Sequence, residues 1–296
     1  MPTYNFKREA QVYVVSGGNR YRIDVADVTF SQTFSEESYP VKTLHAQSNV
    51  FEGSVINKAN VANFSFNMPA IVEADYSIVE TLLLNATSFD LFIQTEADVF
   101  KLEKAVITNG SFVIERSRPL SIQIQGDAAK LTRGATLTGS LQTRSSTKNF
   151  VIPTLEITLN GTSLNDIVTV NMELQNDISW TPYKNIHSAL SVTSATNSMY
   201  PSEFSLSKKI LAGSIVQYLT GSNTSNTLNW DTDASLTIKA GNGQSGASFR
   251  GFSFGPATCS FTNRINADSE VYIQSYDWRL TDNPSNLATI LKYETD

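Results

Sequence analysis

Apolar and polar residues alternate along most of this chain, and one stretch breaks the rule. A period of two marks strands with one wet face. Ile122 and Ile124, set among Ser121, Gln123 and Gln125, show it plainly. Asn63-Phe64-Ser65-Phe66-Asn67 reads the same way, and Met68-Pro69 stops it. The exception is Ile71 to Asn85, with apolar residues at 71, 72, 78, 79, 82 and 83. That spacing lines one face of a helix. Ser16-Gly17-Gly18-Asn19 joins a strand at 11–15 to one at 21–25. Asn160-Gly161 turns a second hairpin after Leu155–Leu159. Further strands are predicted at 28–34, 89–94, 100–110, 111–116, 120–126, 167–174, 234–240, 249–254, 258–263 and 270–276. Lys208 to Leu219 predicts a second, shorter helix, and 285–293 one or two helical turns.

These elements occur twice in one order. Pro40-Val41-Lys42-Thr43-Leu44-His45 is echoed by Pro182-Tyr183-Lys184-Asn185-Ile186-His187. Phe100-Lys101, Ser111-Phe112, Ile122-x-Ile124-Gln125 and Lys130-Leu131-Thr132 align without a gap to Phe249-Arg250, Ser260-Phe261, Val271-x-Ile273-Gln274 and Arg279-Leu280-Thr281. Repetition of this kind predicts a duplicated domain. Residues 131–148, rich in Thr, Ser and Gly, read as the linker, with the boundary near residue 150. The expected fold is mainly β. It comprises two tandem β-sandwich or barrel domains, 1–150 and 151–296, each with one flanking α-helix. His45 should lie over His187, and helix 71–85 over helix 208–219.

At 296 residues the chain has room for two such cores. Net charge is −6, with about −1 on residues 1–150 and about −5 on 151–296. An acidic chain is a poor binder of nucleic acid, because affinity for phosphates comes from Lys and Arg. The single cysteine, Cys259, excludes an internal disulfide and reads as a core or strand residue. The start, Met1-Pro2-Thr3-Tyr4-Asn5-Phe6-Lys7, lacks a basic-then-apolar signal pattern, which predicts synthesis in the cytosol. No apolar run approaches the ~18 residues of a membrane span.

Little here points to catalysis. Two histidines and one cysteine make a poor zinc set unless carboxylates dominate. His45 and His187 sit at equivalent repeat positions, which favours a structural role. No phosphate-cradling loop or nucleophile elbow is present. Gly241 to Gly246 lies between two predicted strands and reads as a loop. Glu36-Glu37 and Asp231-x-Asp233 read as solvated turns. Tyr276-Asp277-Trp278 offers aromatic faces for a sugar, or simply a rim. No enzyme activity, cofactor or metal is predicted.

Two polar stretches, 47–62 and 188–203, exceed ordinary hairpin turns. The first holds Asn49, Phe51, Val55, Ile56 and Asn60, and the second Met199 and Tyr200. Isolated apolar side chains on such loops need a partner to cover them. The first reads as a protruding loop or hairpin.

The segment AQVYVVSGGNRYRIDVADVTFSQTFSEESYPVKTLHAQSNVFEGSVINKANVANFSFNMPA, residues 10–70, resembles the start of bacteriophage tail tube proteins. The likeness extends through Leu131. It implies a β-sandwich with a flanking helix, and a long loop reaching the next ring. A duplicated version implies three chains per pseudo-hexameric ring, stacked into a virion tail tube. Its partners would be other copies and other tail proteins: tape measure, terminator and baseplate. Genomic DNA would pass through the lumen without specific binding. The nearest alternative is a tube initiator or baseplate hub protein. A secreted carbohydrate-binding β-sandwich and a hydrolase are the alternatives from other classes.

Overall fold

The computed structural model describes residues 6–40, 52–69, 75–115, 118–143, 151, 153–181, 190–194, 196–223, 231–242, 249–268 and 270–294. The first half begins with the hairpin β1 (Gln11–Ser16) and β2 (Asn19–Ile23). Gly17 and Gly18 have φ of 57° and 81°, the paired positive values that a tight two-residue hairpin turn requires. Next come β3 (Asp27–Ser31), β4 (Phe34–Pro40), β5 (Glu52–Ala59) and β6 (Ala62–Pro69). Helix α1 (Asp75–Asn85) leads to β7 (Phe89–Gln94), β8 (Val99–Ile114), β9 (Ser121–Ala128), β10 (Lys130–Arg133) and β11 (Ser140–Leu141). The second half contains β12 (Thr154–Leu159), β13 (Thr162–Ser163), β14 (Ile167–Trp180), β15 (Phe204–Tyr218), β16 (Asp231–Asn242), β17 (Arg250–Asp268), β18 (Val271–Leu280) and β19 (Leu291–Glu294).

Alternation does what it predicted. Along β6, Ala62, Phe64, Phe66 and Met68 are buried while Asn63 is exposed. Along β9, Ile122, Ile124 and Ala128 are buried while Gln123 and Gln125 are exposed. The long strand β8 serves two layers. Its first part pairs with β7 and β10, and its last part with β9 and β14. The crossover falls at Lys104, which has φ 51° and lies within the bulge opposite Phe89–Leu91, just ahead of a second bulge at Ile107/Asn109. Bulges bend a strand and re-aim it, which lets one strand turn a corner between layers.

The second half repeats the pairing plan of the first. β1–β2, β1–β7 and β7–β8 recur as β12–β13, β12–β16 and β16–β17. β3–β6, β6–β9 and β8–β9 recur as β14–β15, β15–β18 and β17–β18. Even β10 on β8 has its match in β19 on β17. The halves are also fused. Strand β14 pairs with β8 from Val170–Ile114 to Gln175–Asn109, so one sheet runs through both. A single core cluster holds Phe64 and Leu91 with Met172, Phe254 and Trp278. The Phe112 ring meets Phe252 edge-on at 4.8 Å across the junction.

Several expectations need correction. Residues 208–218 are not a helix but the body of β15, hydrogen-bonded to β14 and β18 on its two edges. The flanking helix is therefore confined to the first half among the described residues. The run KKILAGSIVQYL looks helical because a strand inside a large sheet carries apolar residues on both faces. Leu211 and Ile215 point into the core. At Gly213 a Cβ would lie 2.0 Å from the carbonyl oxygen of Asn171, so a strand packs where a larger residue would clash. The stretch 131–148 is less loose than a linker, since β10 and β11 join the sheet. Segments 100–110 and 111–116 fuse into β8, and 249–254 with 258–263 into β17. The tail is a 3-10 turn at Leu287–Thr289 followed by strand β19. Glu36-Glu37 and Asp231-x-Asp233 lie within strands β4 and β16, not turns.

The gapless alignment also slips in its last part. Phe112 pairs with Ile122, but its match Phe261 pairs with Trp278, not with Val271. A shift by an odd number of residues exchanges the faces of a strand. Accordingly Val271 is exposed and Trp278 takes the buried place of Ile122. Residues 144–150, which hold the expected boundary, and both histidines, His45 and His187, lie outside the described residues.

Candidate assembly surfaces

Three surfaces stand out. The first is the wet face of the shared sheet. From β3 through β6, β9, β8, β14 and β15 it presents Thr29, Ser65, Gln125, Ser111, Asn171 and Ser214. These are hydroxyls and amides, and they bond to one another. Thr29 and Ser65 share a hydrogen bond of 2.7 Å, and Ser31 Oγ donates to Asn63 Oδ1 at 2.8 Å. Asn171 Nδ2 reaches Ser214 Oγ at 3.4 Å, and Gln175 Nε2 donates to Glu173 Oε1 at 3.0 Å. Charge appears mainly toward the second half, where Arg264 pairs with Asp277 at 3.1 Å.

The second surface is the hairpin β4–β5, which forms a two-stranded sheet of its own. Such a ribbon is marginal in water without something packed on it. Val55 and Ile56 are each 51% exposed, and Glu37 and Glu36 opposite them are exposed too. The expected protrusion is thus a hairpin arm. Asn60 sits at its base, where Nδ2 donates to Thr33 Oγ1 at 2.9 Å and Oδ1 accepts from Ser35. Asn49 and Phe51 lie outside the described residues.

The third surface belongs to the other polar stretch, and here the expectation changes. Met199 is 5% exposed, already covered by the chain itself. Its carbonyl accepts from the Ala59 N–H at 3.0 Å, at the root of the arm. The Tyr200 ring meets Phe34 at 6.2 Å and lies 4.9 Å beneath the Lys130 ammonium. Burial raises the Tyr200 hydroxyl above its ordinary range, with Glu103 adding to the shift. Lys104 Nζ donates to Ser202 O and pairs with Glu203 at 2.7 Å. Residues 196–203 thus brace the arm of the first half rather than wait for another partner.

Sequence reasoning missed the clamp on helix α1. Asn176 Nδ2 donates to the Leu83 carbonyl at 2.9 Å and to the Ile107 carbonyl at 3.0 Å. Lys209 donates to the Leu84 carbonyl. Carbonyls of the last helical turn have no partner inside the helix, so these side chains cap them. Glu80 Oε1 accepts from the Tyr293 N–H at 2.6 Å, and burial raises its carboxyl to about 7. Asn176 was legible as a polar residue in the buried phase of β14, alongside Val170, Met172 and Leu174. The sugar-facing reading of Tyr276 and Trp278 fails, because both are core residues, Trp278 at 2% exposure. Cys259 is likewise buried, as expected, and burial pushes its thiol up to about 12.

These surfaces belong to a mainly β chain with a doubled pairing plan, one long polar sheet face and a separate hairpin arm. The chain belongs to the Bacteriophage Baseplate Tube Protein Family, whose profile matches residues 2–85 and 73–295. Membership makes it a phage baseplate tube protein and a virion component. No curated protein matches the chain.

Proposed function

We propose that three copies of this chain close into a ring of six tube domains at the baseplate end of the tail tube. In this reading residues 1–150 and 151–296 each supply one domain. The observation that carries it is the β8–β14 seam, where one half continues the sheet of the other. A subunit that already joins two copies of a plan edge to edge needs three chains, not six, for one ring. The polar face of the sheet then lines the lumen. Its hydroxyls and amides, tied to each other, offer DNA few fixed cations, so DNA slides past toward the host. The β4–β5 arm, with Val55 and Ile56 outward, reaches the neighbouring ring, where burial of those side chains favours stacking. Other tail proteins, among them the tape measure and terminator, would meet the ends of the tube.

Negative-stain electron microscopy of concentrated protein tests this directly. Rings with three chains each are the expected result. A monomer at every concentration, with no rings in virions, sinks the reading. A second reading, that the chain builds the whole tail tube, rests on the same surfaces. Copy number per virion separates them: a few rings for a baseplate segment, many for the full tube.

A further inference from the structure

The same edge is treated differently in the two halves. In the first, residues 109–114 of β8 accept β14 on the side away from β9. In the second, the matching stretch of β17 is already covered. The first part of β16 lies on it, from Asp231–Thr262 to Leu236–Ala257. Of that part, Asp231–Ser235 is an addition to the shared plan, while Leu236 pairs with Leu159 of β12 and Ser235 exchanges hydrogen bonds with Asn160 at the segment's end. The β7 counterpart is the rest of β16, Ile238–Asn242, set off by a bulge between Leu236 and Ile238.

At the other end of the sheet, β3 pairs only with β6 among the described residues. It is the counterpart of β14, which in the first half's seam is held by β8. A cleft of about 380 Å³ lies along it, lined by Ala10, Val28, Phe30, Ile93 and Phe100. Carrying the β8–β14 register over, through the pairings of β9, β6 and β3, sets Asp27, Val28 and Thr29 opposite Ser260, Cys259 and Thr258. Those three positions now face Asp233, Ala234 and Ser235. The sequences correspond one to one: Asp with Asp, Ala with Val, Ser with Thr. The existing seam follows the same order, with Glu173, Leu174 and Gln175 opposite Ser111, Gly110 and Asn109.

We infer that Asp231–Ser235 is a removable cover that imitates the docking strand of a second copy, and that β3 of that copy replaces it when chains join. The cover occupies this edge of β17 on the free chain, which guards that edge against uncontrolled pairing. The exchange puts Val28, a core residue of its own chain, opposite Cys259 where Ala234 was, so the same buried phase is kept on both strands. The inference rests on edge-to-edge ring closure as proposed above.

The native Cys259 reports both states. Ala234→Cys places two thiols on directly opposed positions. Once oxidised, this variant is locked, and it should stay monomeric where the reduced variant and wild type assemble. Val28→Cys should form a disulfide to Cys259 between chains in assembled material, since the two residues lie at opposite ends of the sheet within one chain. Oxidised, locked Ala234→Cys that assembles like its reduced form overturns the cover and leaves the ring reading standing. So do Val28→Cys rings that never yield the interchain bond. Wild type that never assembles overturns the ring reading itself, and the cover with it. The Val28→Cys measurement decides the matter if the locked variant folds poorly.

Discussion

The two halves share a pairing plan and differ in what precedes the strand β7 or β16. In the first half that segment is helix α1. Its Leu83 packs so close to Gly110 that a Cβ there would lie 2.5 Å from the leucine Cδ2. In the second half the position of Gly110 is held by Cys259, and the segment beside it is the strand Asp231–Leu236. The contrast teaches that the plan leaves one edge open, and that local sequence decides how it is filled. Where a second strand system is at hand, as β14 is for β8, a helix is free to form above. Where none is at hand, a strand takes the edge.

The sharpest test of how far the halves are independent lies in their common core. Phe252 touches Phe112 of the first half and Tyr293 of the second. Phe252→Ala should cost about 3–5 kcal/mol, the usual penalty for deleting a buried aromatic ring. Urea unfolding should still show one transition, followed by both tryptophan fluorescence and circular dichroism. Two separated transitions would mean that the halves fold as independent bodies.

The clamp on α1 gives the next largest effect, and it depends on pH. The Glu80 carboxyl titrates near 7 in the folded chain against an ordinary 4.5, because burial disfavours its charge. The folded state therefore holds the proton more tightly. That stability is fully present below pH 4.5 and is lost as pH rises through 7. The shift corresponds to at most about 3 kcal/mol. Glu80→Gln keeps an acceptor for Tyr293 and should flatten this part of the stability profile. An unchanged slope in the variant would remove Glu80 as its source.

Matched substitutions at the differing site come next. Gly110→Val should cost about 1–3 kcal/mol by pushing Leu83 away, as overpacking does. Cys259→Val, at the equivalent place, is nearly volume-conserving and should cost under about 1.5 kcal/mol. Equal losses, read from thermal unfolding, would say that the helix is not seated on Gly110. The smallest effect on stability belongs to the arm. Val55→Ser with Ile56→Ser should stay within about 0.5 kcal/mol of wild type, as exposed substitutions do. Stacks of rings should nevertheless fail to grow. Long stacks from that variant would free the arm from any axial role.

Many strands with one wet face were legible. The segment 89–94 was read with the bounds that β7 has, and 63–67 fell within β6. Helix α1 was legible from its spacing, and the first arm from its length and its stranded apolar residues. Legibility failed at 208–219, where Ile210, Ala212 and Val216 on the half-exposed face, beside buried Leu211 and Ile215, hid the period of two. It failed again at Val271, where matching letters hid a seven-residue shift in pairing. It also failed for Met199, whose partner, the Ala59 N–H, lies far away in the sequence.

By itself the sequence determined the β character, the hairpin turns, the single helix of the first half and the existence of a repeat. Each of these depends on neighbours within a few residues, or on a pattern that any reader can compare with itself. Only the tertiary structure decided that the halves share one sheet, that residues 196–203 brace the arm, and which strand covers each edge. Those outcomes depend on pairings between residues far apart, and backbone hydrogen bonds are nearly the same for every residue. The choice among partners then rests on packing, which no short stretch of sequence contains.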